Sequence, residues 1–288
     1  MKRRTFIGTS AVASVGIIAC KNTSSPETKQ AKEFKLQHNI NHSVCQWCFG
    51  NIPLEDFLKT LNTLEVKAID LIGPKDWPLL KKYDIFCSMC NGAEISLTEG
   101  WNDPQYHEVL LKNYLEMIPK VAEAGYTNLI CFSGNRRGME DTVGLQNCVD
   151  GLKQILPLAE KHGVVIQMEL FNQVDHKDYM CDSSKWGIEL CKQLGSENFK
   201  LLFDIYHMQI QEGDIIRSIT NNHQYFGHYH TAGVPGRHEI NEEQELYYPA
   251  IMRAILATGY RGFVAQEFIP ASEYKIESLK QGFLICDV

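Results

Sequence analysis

No Gly-x-Gly-x-x-Gly run follows any apolar stretch of this sequence, so nothing in it asks for a dinucleotide. No segment repeats another, and no shift in composition marks a second domain. The apolar run Phe6–Ala19 falls short of the ~20 residues that a bilayer span needs. Basic residues are in deficit: 28 Lys and Arg face 35 Asp and Glu, a net charge of −7. Lys2, Arg3 and Arg4 all lie among the first four residues, so the remainder is more acidic still. Binding to a phosphate backbone needs a basic face. Nucleic acid is therefore excluded as the main partner, and a metallonuclease with it. A small molecule needs no such face.

What is present begins with a leader. Met1–Arg4 is basic, Phe6–Ala19 is apolar and Cys20 ends the run, an order that reads as a signal segment. Arg3-Arg4-Thr5-Phe6-Ile7 resembles a twin-arginine export signal, and Ile17-Ile18-Ala19-Cys20 resembles a lipobox. The expected division is a signal segment over 1–19, a lipidated Cys20 with a polar tether over 20–40, and one barrel domain over 41–288. The expected location is outside the cytoplasm, periplasmic or membrane-anchored, with the lipid as the sole contact with a membrane. The oligomeric state is left open, a homo-oligomer included. Ten cysteines are many for an exported chain. Cys45/Cys48 and Cys87/Cys90 form two C-x-x-C pairs, but they lie farther apart than a zinc ribbon places them. Each pair sits on or beside an expected strand, so core thiols are expected rather than a structural zinc or disulfides.

Apolar runs alternate with helical patterns eight times. Strands are expected at 41–46, 67–72, 85–89, 127–132, 164–169, 200–203, 224–230 and 261–266, with helices between them. One helix is expected across Asp141–His162, with Gly163 as its cap, and another across Gln244–Thr258. Continuous apolar strands alternating with helices mean a parallel sheet, and eight units mean an α/β fold of the single (β/α)8 TIM barrel type.

Four of these strands end abruptly in ionisable residues. Val164–Met168 ends in Glu169, Lys200–Phe203 in Asp204, the seventh strand in His228 and His230, and Gly262–Gln266 in Glu267. A barrel builds its site at the C-terminal ends of its strands. One acidic residue there would be a helix cap or a solvated rim residue; Glu169, Asp204, His230 and Glu267 on adjacent strands make a ligand set for a hard divalent cation. Carboxylates with one imidazole and no thiolate favour Mn²⁺ or Mg²⁺ over Co²⁺ or Zn²⁺. Such a cation stabilises an enediolate as a Lewis acid, and two carboxylates can move the proton next to the carbonyl. Arg237 offers a planar fork for a carboxylate, or else a rim salt bridge to Glu239 or Glu242. His207 is either a substrate contact or a buried, hydrogen-bonded histidine. His228 shares the side of the strand on which His230 lies and could support it. Trp47, His176 and Tyr179 could wall or cover the pocket; Arg136 and Arg137 could hold an anion or simply be solvated.

The sequences ELFN at Glu169, FDIYH at Asp204, GHYHTAGVPGRHE at His230 and QEF at Glu267 resemble the xylose isomerase-like barrel superfamily. Within it, the chain is similar to hydroxypyruvate isomerases and ketose 3-epimerases from about Ser43 onward. The resemblance implies one divalent metal on Glu169, Asp204, His230 and Glu267. It implies proton transfer by Glu169 and Glu267 on the two faces of a small substrate, with His207 and Arg237 on its oxygens. His230 stands where hydroxypyruvate isomerases often carry Gln and epimerases carry His. Asp175, a further substrate contact by this resemblance, replaces the epimerases' Glu and is one methylene shorter. The expected activity is isomerisation of a hydroxy-carbonyl compound of the hydroxypyruvate type. Ketose 3-epimerisation or action on a keto-glycoside is the alternative, and a non-catalytic solute-binding lipoprotein a further one.

Overall fold

A computed structural model describes residues 34–288. The expected signal segment, Cys20 and the expected tether through residue 33 lie outside the described residues. Phe34–Ile40, assigned to the tether by the sequence, packs on the folded body: Leu36 and Ile40 are buried, and the Gln37 side chain donates to the Asp287 carbonyl. Two apolar side chains in that short stretch give it a face to bury.

Eight parallel strands alternate with helices: β1 (Asn41–Val44), β2 (Ala68–Ile72), β3 (Phe86–Cys90), β4 (Asn128–Cys131), β5 (Val165–Glu169), β6 (Phe199–Asp204), β7 (Phe226–Thr231) and β8 (Phe263–Gln266). β1 pairs with β8, and the sheet runs round through β7, β6, β5, β4 and β3 to β2. A parallel bridge between Cys45 and Asp70 joins the last edge, leaving a nearly closed TIM barrel. The helices are α1 (Leu54–Thr63), α2 (Trp77–Lys82), α3 (His107–Glu123), α4 (Asp141–Leu152), α5 (Leu156–His162), α6 (Ser184–Leu194), α7 (Ile205–Gln211), α8 (Ile215–Asn222), α9 (Tyr248–Ala257) and α10 (Lys275–Cys286). Among the described residues no helix is long and apolar enough to cross a membrane.

Two boundaries differ from the expected ones, each at a proline. The single helix of 141–162 is two, α4 and α5, because Pro157 lacks an N–H and its ring opposes the carbonyl four residues back. α9 starts at Tyr248 rather than Gln244, with Pro249 in its first turn. Gly163 does end α5, in the left-handed conformation at φ 66°. Every cysteine among the described residues is buried and free, as core thiols should be.

Pairing is uneven around the barrel. β5 and β6 are joined by a continuous register and β6 and β7 by one with a single shift between Leu201 and Leu202, whereas β3 meets β4 only at Cys90 and Leu129. β2 is irregular on both sides of Asp70, and Leu71 takes φ 58°. A branched residue in that region marks a local distortion that its surroundings must enforce.

Candidate active site and metal centre

β5 to β8 carry Glu169, Asp204, His230 and Glu267 to one rim, all four side chains almost wholly buried. One ligand atom from each lies within 4.8 Å of all the others. Asp204 ends β6 and also caps α7: Oδ1 accepts from the N–H groups of Tyr206 and His207 at 2.8 and 3.2 Å. Its Oδ2 is thereby turned toward the other carboxylates. His230 Nδ1 lies 2.7 Å from Glu267 Oε2 and 3.3 Å from Glu169 Oε1. Glu169 Oε1 is buried and makes no hydrogen bond. An orphaned carboxylate oxygen facing an imidazole and two more carboxylates fits a hard divalent cation, so these four residues could hold one.

Electrostatics follow from burial and from one guanidinium. Arg237 bonds both to Asp204 Oδ2, at 3.2 Å, and to Glu267 Oε2. Burial raises Glu169 to about 7, with Glu267 nearby adding to the effect. Burial likewise raises Asp204 to about 6, although Arg237 opposes it. Burial also works against the charge on Glu267, but Arg237 and His230 outweigh it and hold that carboxyl well below the usual range. The rim bridge to Glu239 or Glu242, the alternative reading of Arg237, does not form. Glu239 instead accepts the backbone N–H groups of Ala271 and Ser272.

Above the carboxylates is a cavity of about 430 Å³. Glu169, Glu267 and Arg237 form its polar floor, and Trp47, Leu71, Leu97, Phe132 and Ile269 are among its apolar walls. Trp47, half-exposed, donates its indole N–H to Glu267 Oε1 at 2.9 Å. Asp175 lines the cavity and accepts from Tyr206 Oη at 2.9 Å and Asn172 Nδ2 at 3.0 Å. His176 also lines it, stacked on Phe171 with ring centroids 4.4 Å apart. His207 lies behind this wall, fully buried; its Nε2 accepts from Arg237 Nη1 at 2.8 Å and its Nδ1 faces Asn172. Burial and the adjacent guanidinium push its pKa well down. Tyr179 is buried, donating to the Glu169 carbonyl. Arg136 is tied to Asp141 and Asp182 and has no fork free for an anion.

One residue of this constellation escaped the sequence reading. Asp70, in the middle of β2, is fully buried and reaches both His228 and His230. The available signal was a lone carboxylate inside an apolar run that had been assigned to a central strand, where an ion needs a partner.

Sequence and fold comparisons relate the chain to known isomerases and epimerases. A 2-oxo-tetronate isomerase from Cupriavidus necator is 36% identical over 112 residues, 39% of this chain and 43% of that protein. A hydroxypyruvate isomerase from Escherichia coli K12 is 28% identical over 127 residues, 42% of this chain and 47% of that protein. The chain thus spans less than half the length of these curated relatives. The solved structure of D-psicose 3-epimerase with D-tagatose from Clostridium cellulolyticum H10 superposes with a TM-score of 0.70 at 15% identity, covering 86% of this chain and 99% of that one. At that identity the likeness shows the fold alone. The xylose isomerase-like TIM barrel family model matches residues 78–282, most of the chain, and the protein belongs to that family.

Proposed function

We propose that this protein is a divalent-metal-dependent isomerase of a small hydroxy-carbonyl compound, of the kind acted on by the 2-oxo-tetronate and hydroxypyruvate isomerases it resembles. The observation that carries this reading is the convergence of Glu169, Asp204, His230 and Glu267 beneath a cavity floored by Arg237. Mn²⁺ or Mg²⁺ suits three carboxylates and one imidazole. When bound there, the cation would polarise the substrate's oxygens and stabilise an enediolate as a Lewis acid. The protein's own groups do the rest. Glu169 and Glu267 accept and return the proton beside the carbonyl. Arg237, held from behind by His207, bonds Asp204 and Glu267 in the metal-free protein; released from those two carboxylates when they hold a cation, it would offer its fork to a substrate carboxylate. Tyr206 and Asn172 orient Asp175 toward the substrate's hydroxyls. The aromatic and aliphatic walls exclude water from the floor.

A second reading has its own support. A three-carbon acid leaves much of a cavity of about 430 Å³ unfilled, and its walls are mainly apolar. That room suits a ketose or keto-glycoside, whose ring presents an apolar face, and 3-epimerisation would use the same two glutamates. The deciding experiment incubates the metal-loaded protein in D₂O with hydroxypyruvate, 2-oxo-tetronate, ketoses and keto-glycosides, and follows deuterium entry by NMR. Exchange at the carbon beside the carbonyl of an oxo acid supports the first reading, and exchange in a sugar alone supports the second. Tight binding without exchange would leave a solute-binding protein and end both.

A further inference from the structure

Beneath the rim lies a buried polar cluster of which the proposed reaction uses only His230. Its centre is Asp70, which is fully buried on β2. Its Oδ1 accepts from Ser43 Oγ at 2.8 Å and from Ser88 Oγ. Its Oδ2 receives two imidazoles, His228 Nε2 at 2.7 Å and His230 Nε2 at 3.0 Å. In a regular strand Asp70 and Leu71 would face opposite ways. Here β2 breaks register on both sides of Asp70 and Leu71 takes φ 58°, so Leu71 lines the cavity while Asp70 reaches the two histidines. The distortion therefore accompanies a specific placement of one carboxylate.

An ionised carboxylate only accepts hydrogen bonds. Each imidazole that meets Asp70 through Nε2 must therefore carry its hydrogen there. Nδ1 of His230 meets a carboxylate too, Glu267 Oε2 at 2.7 Å, so in the metal-free protein both ring nitrogens carry hydrogen; a cation taking the place of the Nδ1 proton would leave the one remaining hydrogen on Nε2, against Asp70. The other polar neighbour of Nε2, Cys45 Sγ at 3.8 Å, is too distant and too weak an acceptor to impose the same choice.

We infer that Asp70 is a positioning residue that fixes His230 as the Nε2–H tautomer and so presents its Nδ1 lone pair to a divalent cation. The inference rests on the reading of His230 as a metal ligand. Without Asp70, Nδ1 can carry the hydrogen and donate it to Glu267, which closes the ligand position from within. His228 shares the same oxygen and stiffens it; its own Nδ1 is buried without a partner, so it faces no second acceptor that could pull the cluster apart.

Two variants separate tautomer control from mere support. Asp70→Asn keeps an acceptor oxygen of the same size, whereas Asp70→Ala removes it. Loss of a partner that orients a metal ligand typically costs about 10–100-fold in metal affinity. Mn²⁺ titration of the full chain should show Asp70→Ala weaker by at least ~10-fold and Asp70→Asn recovering most of that loss. A purely structural Asp70 would lower the melting temperature of both variants and leave affinity in the folded fraction unchanged. Should Asp70→Ala not fold, the wild type still decides: ¹H–¹⁵N NMR of the Mg²⁺-loaded protein should show His230 bare at Nδ1 and its Nε2–H proton hydrogen-bonded, shifted downfield and protected from exchange, whereas a freely exchanging Nε2–H would mean that Asp70 does not hold it. A hydrogen on Nδ1, or wild-type affinity in folded Asp70→Ala, overturns the inference alone. A wild type that binds no divalent cation overturns the metal site along with it.

Discussion

β5–β8 end in or beside Glu169, Asp204, His230 and Glu267, whereas β1–β4 end in Val44, Ile72, Cys90 and Cys131. The first half, β5–β8, is paired strand to strand with one register shift, between β6 and β7, and the second half, β1–β4, is bulged on both sides of Asp70 and joined at a single pair between β3 and β4. The contrast is one of tolerance. Ligand atoms for a cation must agree to within a few tenths of an ångström, and regular pairing beside the ligands, as of Asp204 with His230, holds them so. A wall has only to fill space, and small thiols and aliphatic side chains do that in an irregular frame. Asp70 is where the second half reaches into the chemistry of the first.

The sharpest test of this division lies in the two glutamates. Metal-loaded Glu169→Gln and Glu267→Gln should stay folded and lose at least ~100-fold in turnover and in substrate proton exchange, the scale of general acid–base catalysis. Near-normal turnover in both would reduce them to ligands. Next in size, Asp204→Ala should weaken Mn²⁺ binding at least ~10-fold, measured as metal retained after dialysis. Unchanged stoichiometry would remove Asp204 from the site.

A pH series sharpens the comparison further. Unfolded Glu and Asp side chains titrate near ~4.3 and ~3.9. Glu169 is raised to about 7 and Asp204 to about 6. Between those limits the folded, metal-free protein binds more protons than the unfolded chain, so these two groups contribute stability at low pH that is lost as pH rises through their folded values. Its melting temperature should fall from about pH 5 to about pH 8. A cation displaces the same protons, so Mn²⁺ affinity should climb across that window; a flat profile would mean that the carboxyls are not the ligands. The smallest effect belongs to the thiol half: Cys87→Ala or Cys131→Ala should cost about 1 kcal/mol in urea unfolding, with metal affinity unchanged.

Much of this was legible in the chain. Glu169, Asp204 and Glu267 stand out because each ends an apolar run, and position along a strand is a local property. The barrel itself follows from counting such runs. Asp70 was not legible in this way: its partners on β7 are brought to it by closure of the sheet, and its orientation depends on a kink that no residue type announces. Arg237 was found, but its inward pairing depends on a loop path that brings it over Glu267 rather than toward Glu239. The breaks at Pro157 and Pro249 were written in the sequence and were outweighed by helical periodicity.

Arg237 has a consequence for the life of the molecule before any catalysis. Three buried carboxylates would repel one another in a barrel that had to wait for its ion. Here a guanidinium and an imidazole stand among them as built-in counter-ions, bridging Asp204, Glu169 and Glu267. With that compensation, folding would not depend on a bound cation, and a chelator added to the metal-loaded protein should leave its melting transition cooperative.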